Sequence, residues 1–116
     1  DELILDAIVS QINNWGAQVV GVTTPEDALR LLDEKEFKLI LSDYQLGENI
    51  NGVSVLNDIG AHLEARGKKS IHSFIITASL DEEILNDIKE SKYDYMAKPL
   101  KPAKLRAKIE FIFKNI

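Results

Sequence analysis

The sequence has no cysteine. A disulfide framework, a thiolate metal site and a cysteine nucleophile are therefore excluded, and a reducing compartment suits the chain without being required. Proline and glycine are sparse, 3 and 6 in 116 residues, which separates the chain from low-complexity, collagenous and disordered sequences. No apolar run approaches the roughly 18 residues of a membrane span, and no signal-peptide pattern opens the chain. Basic excess is also missing. The formal charge is −5, and without basic patches interleaved with aromatics there is no case for wholesale binding to nucleic acid or to an anionic membrane. Lys101, Lys104, Arg106, Lys108 and Lys114 read instead as a solvated helix face. No internal repeat is visible. What remains is 45% hydrophobic residues in a length that suits one globular domain with its own core.

The most informative stretch is Lys38-Leu39-Ile40-Leu41-Ser42-Asp43-Tyr44, a short apolar run that ends on a carboxylate. Such a run predicts a strand buried on both faces of a parallel sheet. Around it the chain alternates. Ile4, Ile8, Ile12 and Trp15 mark a helix that Gly16 ends, and Ala17 to Gly21 predicts a strand. Thr24-Pro25-Glu26-Asp27 offers an N-cap, Pro at the first helical position and a carboxylate three residues after the cap, opening a helix through Ala28, Leu31 and Leu32. Tyr44 to Asn51 is a polar loop containing Gly47; after Gly52, Val55, Leu56, Ile59 and Leu63 predict a helix closed by Arg66-Gly67-Lys68-Lys69.

The second half repeats the pattern. Ile71 to Ile76 predicts a strand ending at Thr77, Ser79 with Glu82 resembles a capping box, and Ile84, Leu85 and Ile88 line the helix that follows. Tyr93 to Ala97 is a last short strand, stopped by Lys98-Pro99. After Pro102 the stripe Leu105, Ile109, Ile112, Phe113 and Ile116 makes a closing helix. Five helices and four strands in strict alternation predict a parallel sheet with helices on both faces and right-handed crossovers. Because the alternation opens on a helix, the strand that should precede it is expected to be truncated or to lie upstream of Asp1.

Parallel strands bring their carboxyl ends to one edge, where open α/β sheets bind ligands. Asp43, Thr77 and Lys98 stand at three such ends. Singly, Asp43 reads as a residue that opens a loop, Thr77 as a β-branched strand residue and Lys98 as a surface lysine paired with Asp43. Together they suit phosphoryl chemistry. A carboxylate can act as a nucleophile that forms an acyl phosphate, while an ammonium and a hydroxyl supply charge and donors to the transferring oxygens.

Leu39-Ile40-Leu41-Ser42-Asp43-Tyr44-Gln45-Leu46 with Asn51-Gly52, then Ile75-Ile76-Thr77-Ala78, then Tyr95-Met96-Ala97-Lys98-Pro99, resemble in order the three motifs of the receiver domain of two-component response regulators. The resemblance runs over the whole chain. It implies a flavodoxin-like doubly wound sheet of strand order 2-1-3-4-5. It also implies that Asp43 accepts a phosphoryl group from the phosphohistidine of a histidine kinase or phosphotransfer domain, that Lys98 pairs with the phosphoryl oxygens and that Thr77 hydrogen-bonds them. Tyr95 would be the aromatic whose rotamer reports the state, although a half-buried strand aromatic needs no such role. A cis Lys98–Pro99 bond that aims Lys98 at Asp43 is implied as well, as is a change in the face made by the last two helices and the last strand.

Receivers carry an acidic pair at the end of the first strand, which with the acceptor holds Mg²⁺ through oxygen ligands. Counting back from Trp15-Gly16, that pair falls at or just before residue 1. Metal binding is therefore assigned by resemblance to Asp43, to the backbone carbonyl of Gln45 and to Asp1, the last standing beside the pair rather than as its main ligand. Glu2 reads as a first-turn helix residue favoured by the dipole. The loop from Leu46 to Asn51 is slightly longer than the family's and lacks its common proline. The Lys98 to Arg106 ending looks like receivers attached to hybrid sensor histidine kinases. This points to a single, N-terminally incomplete receiver domain, cytoplasmic, acting in a phosphorelay, from a larger signalling protein that a membrane could anchor, with a homodimer as a candidate assembly. An alternative is a phosphorylation-independent pseudo-receiver that serves as a protein-interaction module, favoured if the residues upstream of Asp1 carry no carboxylates. A nucleotide or flavin binder on the same fold is disfavoured because no Gly-rich phosphate loop follows any strand.

Overall fold

The computed structural model describes residues 20–22, 24–46, 49–79, 81–91 and 93–114. The expected first helix, with Ile4, Ile8, Ile12 and Trp15, lies outside these residues, as do Gly47, Asp1 and all but Val20 and Gly21 of the expected Ala17–Gly21 strand. Val20 and Gly21 carry no regular structure. The chain divides into two compact units, Leu32–Leu100 and a unit of Asp1–Leu31 with Lys101–Ile116, and each is described by itself. Among the described residues no helix is long and apolar enough to cross a membrane.

Helix α1 spans Pro25–Glu34. Thr24 Oγ1 accepts the Asp27 amide at 3.2 Å and Thr24 O accepts the Ala28 amide at 3.2 Å, so the threonine satisfies an end that otherwise leaves orphan donors. Helix α4, Pro102–Lys114, lies in the unit of Asp1–Leu31 with Lys101–Ile116. Proline occupies its first position, where a missing N–H costs nothing, and Leu105, Ile109 and Ile112 form its buried stripe.

In Leu32–Leu100 the strands are β1 (Leu39–Asp43), β2 (His72–Thr77) and β3 (Asp94–Ala97), all parallel, in the order β1-β2-β3. The connecting helices are α2 (Gly52–Ala65) and α3 (Glu82–Glu90). Parallel pairing requires such crossovers, and the alternation read from the sequence supplies them. The register is direct: Leu39 faces His72 and Asp43 faces Ile76, while Phe74 faces Asp94 and Thr77 faces Ala97.

Burial departs from the sequence-based expectation. β1 was expected to be the strand buried on both faces, yet all five of its residues are half-buried, whereas Ser73 to Thr77 of β2 are all buried. Among the described strands β2 has a neighbour on each side and β1 has one. An apolar run reports only that a strand can be buried, not where in the sheet it sits.

Helix α2 matches its periodicity. Val55, Leu56, Ile59 and Leu63 are its buried apolar residues, a stripe with the spacing of one helical face. Asn51 caps it, Oδ1 accepting the Ser54 amide at 2.9 Å. At the other end Lys68 N donates to Leu63 O and Gly67 N to Glu64 O, with Gly67 at φ 68°. This double closure needs a residue in the left-handed region, which glycine adopts without a Cβ penalty. Nearby, Asp33 accepts from His62 Nε2 at 2.9 Å and from Arg66 Nε at 2.8 Å, and the His62 hydrogen bond, reinforced by the Arg66 charge, holds the Asp33 carboxyl below the usual carboxylate range.

Helix α3 begins later than the Ser79–Glu82 pattern predicts. Its cap is Asp81, whose Oδ1 accepts the Glu83 amide at 2.9 Å, while Ser79 Oγ accepts the Asp81 amide in the turn before. A carboxylate at the helix start gains from the dipole as well as from the hydrogen bond.

The start of α2 packs directly on the end of β1. Gly52 N donates to Tyr44 O at 2.6 Å, and a Cβ at Gly52 would sit 3.2 Å from Ser42 Oγ and inside van der Waals contact of the Asp43 carbonyl oxygen. Backbone cannot yield there as a side chain could. Gly52→Ala is expected to lower stability by about 1–3 kcal/mol, the usual cost of overpacking, read as a reduced urea midpoint; a midpoint equal to the parent's would contradict the close approach.

Candidate functional site

Two ladder bonds continue one residue past the strands: Tyr44 N donates to Ile76 O and Lys98 N to Thr77 O, each at 2.8 Å. The backbone is thus fixed on both sides of Asp43 and up to Lys98 itself. The Lys98–Pro99 bond is cis. Lys98 Nζ stands 2.7 Å from Asp43 Oδ1, with both side chains partly open to solvent. The proximity expected of these two residues is therefore present, across 55 positions of sequence.

Thr77 ends β2 at the same edge and is 3% exposed. Its hydroxyl is engaged in its own turn, donating to Ser79 O and accepting from Ser79 N, each at 3.1 Å. A threonine hydroxyl has one proton to give. In this arrangement that proton goes to the Ser79 carbonyl and not to Asp43. Tyr95 lies in β3 opposite Ile75 and is half-buried.

The two ends of the segment after β1 come together. Gln45 and Asn51 form an antiparallel bridge, Leu46 N donates to Ile50 O at 3.0 Å, and Asn49 takes φ 61°, a conformation asparagine tolerates better than most residues. Gln45 is exposed. Of the expected metal ligands, Asp43 and Gln45 are described and Asp1 is not. Among the described residues no three His, Cys, Asp or Glu side chains converge to hold a metal ion. Asp43 nevertheless offers the hard oxygen donor that Mg²⁺ takes.

One contact at this edge has no counterpart in the sequence reading. The Tyr44 phenol donates to Asp87 Oδ2 of α3 at 2.8 Å. A half-buried tyrosine hydroxyl needs a partner, and that need was the only available signal; nothing in the sequence connects positions 44 and 87.

The chain is similar to known proteins throughout. Residues 1–110 match the family model described as the response regulator receiver domain. The transcriptional regulatory protein ZraR of Salmonella typhimurium is 31% identical over 95% of this chain and 25% of its own length, so the chain spans about a quarter of that relative. Among solved structures, the receiver domain of the Francisella response regulator 1452 has a TM-score of 0.77 at 20% identity, covering 99% of this chain and 91% of that one. The Vibrio cholerae chemotaxis protein CheY4 has a TM-score of 0.78 at 17% identity, covering 97% and 91%.

Tyr44 provides a pH test of the site. The hydrogen bond to Asp87, then burial, then the charges of Asp87 and Glu83, push the Tyr44 phenol up to about 12. A raised folded value means that the fold holds the proton more tightly than the unfolded chain. This contribution to stability is complete below the ordinary tyrosine value of about 10 and is lost as pH rises through about 12. Phenolate absorbance should show a component with that late midpoint that Tyr44→Phe removes; a Tyr44 component at the ordinary value would contradict the hydrogen bond.

Proposed function

The chain belongs to the response regulator receiver domain family, and on that premise we propose that Asp43 accepts a phosphoryl group from the phosphohistidine of a histidine kinase or phosphotransfer domain. The observation that supports this reading most directly is the Asp43–Lys98 pair at 2.7 Å, at the edge where parallel strands end. In the step, an Asp43 carboxylate oxygen attacks phosphorus, the P–N bond breaks, and its electron pair returns to the imidazole of the donor. The product is an acyl phosphate on Asp43.

Lys98 has two tasks in this account. Before transfer it pairs with the carboxylate and orients it. After transfer its ammonium moves from the carboxylate to the phosphoryl oxygens, where charge has accumulated. Thr77 donates its hydroxyl proton to the same oxygens in place of Ser79 O. Phosphorylation adds about 1.5–2 negative charges and strong acceptors, so the exchange of partners has a driving force. Mg²⁺, held by Asp43, the Gln45 carbonyl and a carboxylate at or beside Asp1, would supply further neutralisation of those oxygens when bound. Tyr95, two residues from Ala97 on the strand that delivers Lys98, follows the movement of Thr77.

The receiver is one cytoplasmic module of a larger signalling protein, in which the modified state favours one arrangement of α3 and β3 over the other through its contacts with Thr77 and Lys98.

Phosphoryl uptake from acetyl phosphate with Mg²⁺ tests the reading in the full-length protein. Parent and Thr77→Ala should take up label, and Asp43→Asn, which keeps the shape but lacks the anionic nucleophile, should take up none. Amide exchange over residues 81–100 should respond to beryllofluoride in the parent and much less in Thr77→Ala. Label on Asp43→Asn at the parent rate, or identical exchange responses in parent and Thr77→Ala, would contradict the account.

A further inference from the structure

Helix α3 is fastened to the strand ends at two separate points. At its start a chain of hydrogen bonds runs from Thr77 to Ser79, from Ser79 Oγ to the Asp81 amide at 3.1 Å, and from Asp81 Oδ1 to the Glu83 amide. Asp81 is the helix cap, so this chain controls how α3 begins. The second fastening is in the body of the helix, where Asp87 Oδ2 accepts the Tyr44 phenol. Tyr44 is itself immobilised, its amide bonded to Ile76 O and its carbonyl to Gly52 N. Next to Asp87, Ile88 is 0% exposed.

The two fastenings respond differently to a phosphoryl group on Asp43. Thr77 can donate to a phosphoryl oxygen only by giving up Ser79 O, because its one proton is already committed. Tyr44 has no such conflict. Its phenol points to α3 and continues to donate to Asp87 Oδ2, a hydrogen bond to a carboxylate acceptor and hence of the stronger kind.

We propose that the Tyr44–Asp87 hydrogen bond is the pivot of α3, holding the body of the helix to the acceptor end of β1 while the Thr77–Ser79–Asp81 chain releases its start. Asp87 is a positioning residue acting through Tyr44, and α3 tilts at its first turn instead of detaching. The release step rests on the phosphoacceptor reading above; the fastening does not.

Residue-resolved amide exchange of the full-length protein separates the two. Without any phosphoryl mimic, Tyr44→Phe and Asp87→Ala should each lower protection at Ile88, Lys89 and Glu90 about tenfold, equivalent to about 1.4 kcal/mol. The double variant should lose no more than either single one. Asp87→Asn keeps an acceptor oxygen for the phenol and should retain most of the protection. With beryllofluoride and Mg²⁺ the parent should change at Glu83 and Leu85, whose amides bond Asp81, and stay protected at Ile88 to Glu90, whereas Tyr44→Phe should change at both. Additive losses in the double variant, or a Tyr44→Phe response confined to the helix start as in the parent, would overturn the pivot. A parent that ignores beryllofluoride would overturn the phosphoacceptor reading and the release step with it, and the tenfold losses and their non-additivity would then decide the fastening alone.

Discussion

Everything at the acceptor edge depends on the register of two parallel ladders. Asp43 opposite Ile76, and Thr77 opposite Ala97, bring the ends of three strands level. A slip of one residue in either ladder would turn every side chain to the other face, and Asp43 and Lys98 would no longer meet. The ion pair cannot secure that register. Both partners are partly exposed, and such a pair contributes at most about 1 kcal/mol. The register is held by the buried side chains of β2, with Phe74 at 1% and Ile75 at 0% exposure, each worth about 1.5–3 kcal/mol in transfer from water. The sheet positions the pair, not the reverse.

The acceptor end of β1 is further enclosed by backbone. Gly52 comes so close to the Asp43 carbonyl that no side chain fits between them. Asn51 fixes the helix that starts there. Tyr44 joins β2 and α2 through its backbone and α3 through its phenol. At the same edge the Thr77 hydroxyl and the Lys98 ammonium are held by side-chain contacts, to Ser79 and to Asp43. Under the proposed reading, a backbone held on several sides with side chains that can exchange partners lets a charge change at Asp43 select between two arrangements rather than dissipate.

Much of this was legible in the sequence because it follows from local rules. The α2 stripe of Val55, Leu56, Ile59 and Leu63, the Thr24–Pro25 helix start and the Gly67 closure each appear where residue chemistry places them. Asp43 and Lys98 could be brought together because parallel strands align their ends. What was misread depends on neighbours. The apolar run of β1 suggested a strand buried on both faces, but its residues are half-buried whereas Ser73 to Thr77 of β2 are buried. Ser79 looked like a cap, yet its hydroxyl serves the Asp81 amide, and Asp81 caps the helix. The Tyr44–Asp87 contact joins residues 43 positions apart, and no periodicity encodes a single side-chain pair at that distance. The expected acidic partners of Asp43 fall at or before Asp1, outside the described residues.

The central claim is that the acyl phosphate forms on Asp43. An aspartyl phosphate reduced with borohydride becomes homoserine, which peptide mass spectrometry locates to a single residue. After incubation with a phosphorylated histidine kinase domain and Mg²⁺, the account predicts homoserine at position 43 and at no other aspartate. Homoserine at Asp58, Asp81 or Asp87, or phosphate retained on His62 or His72 with Asp43 unmodified, would contradict it.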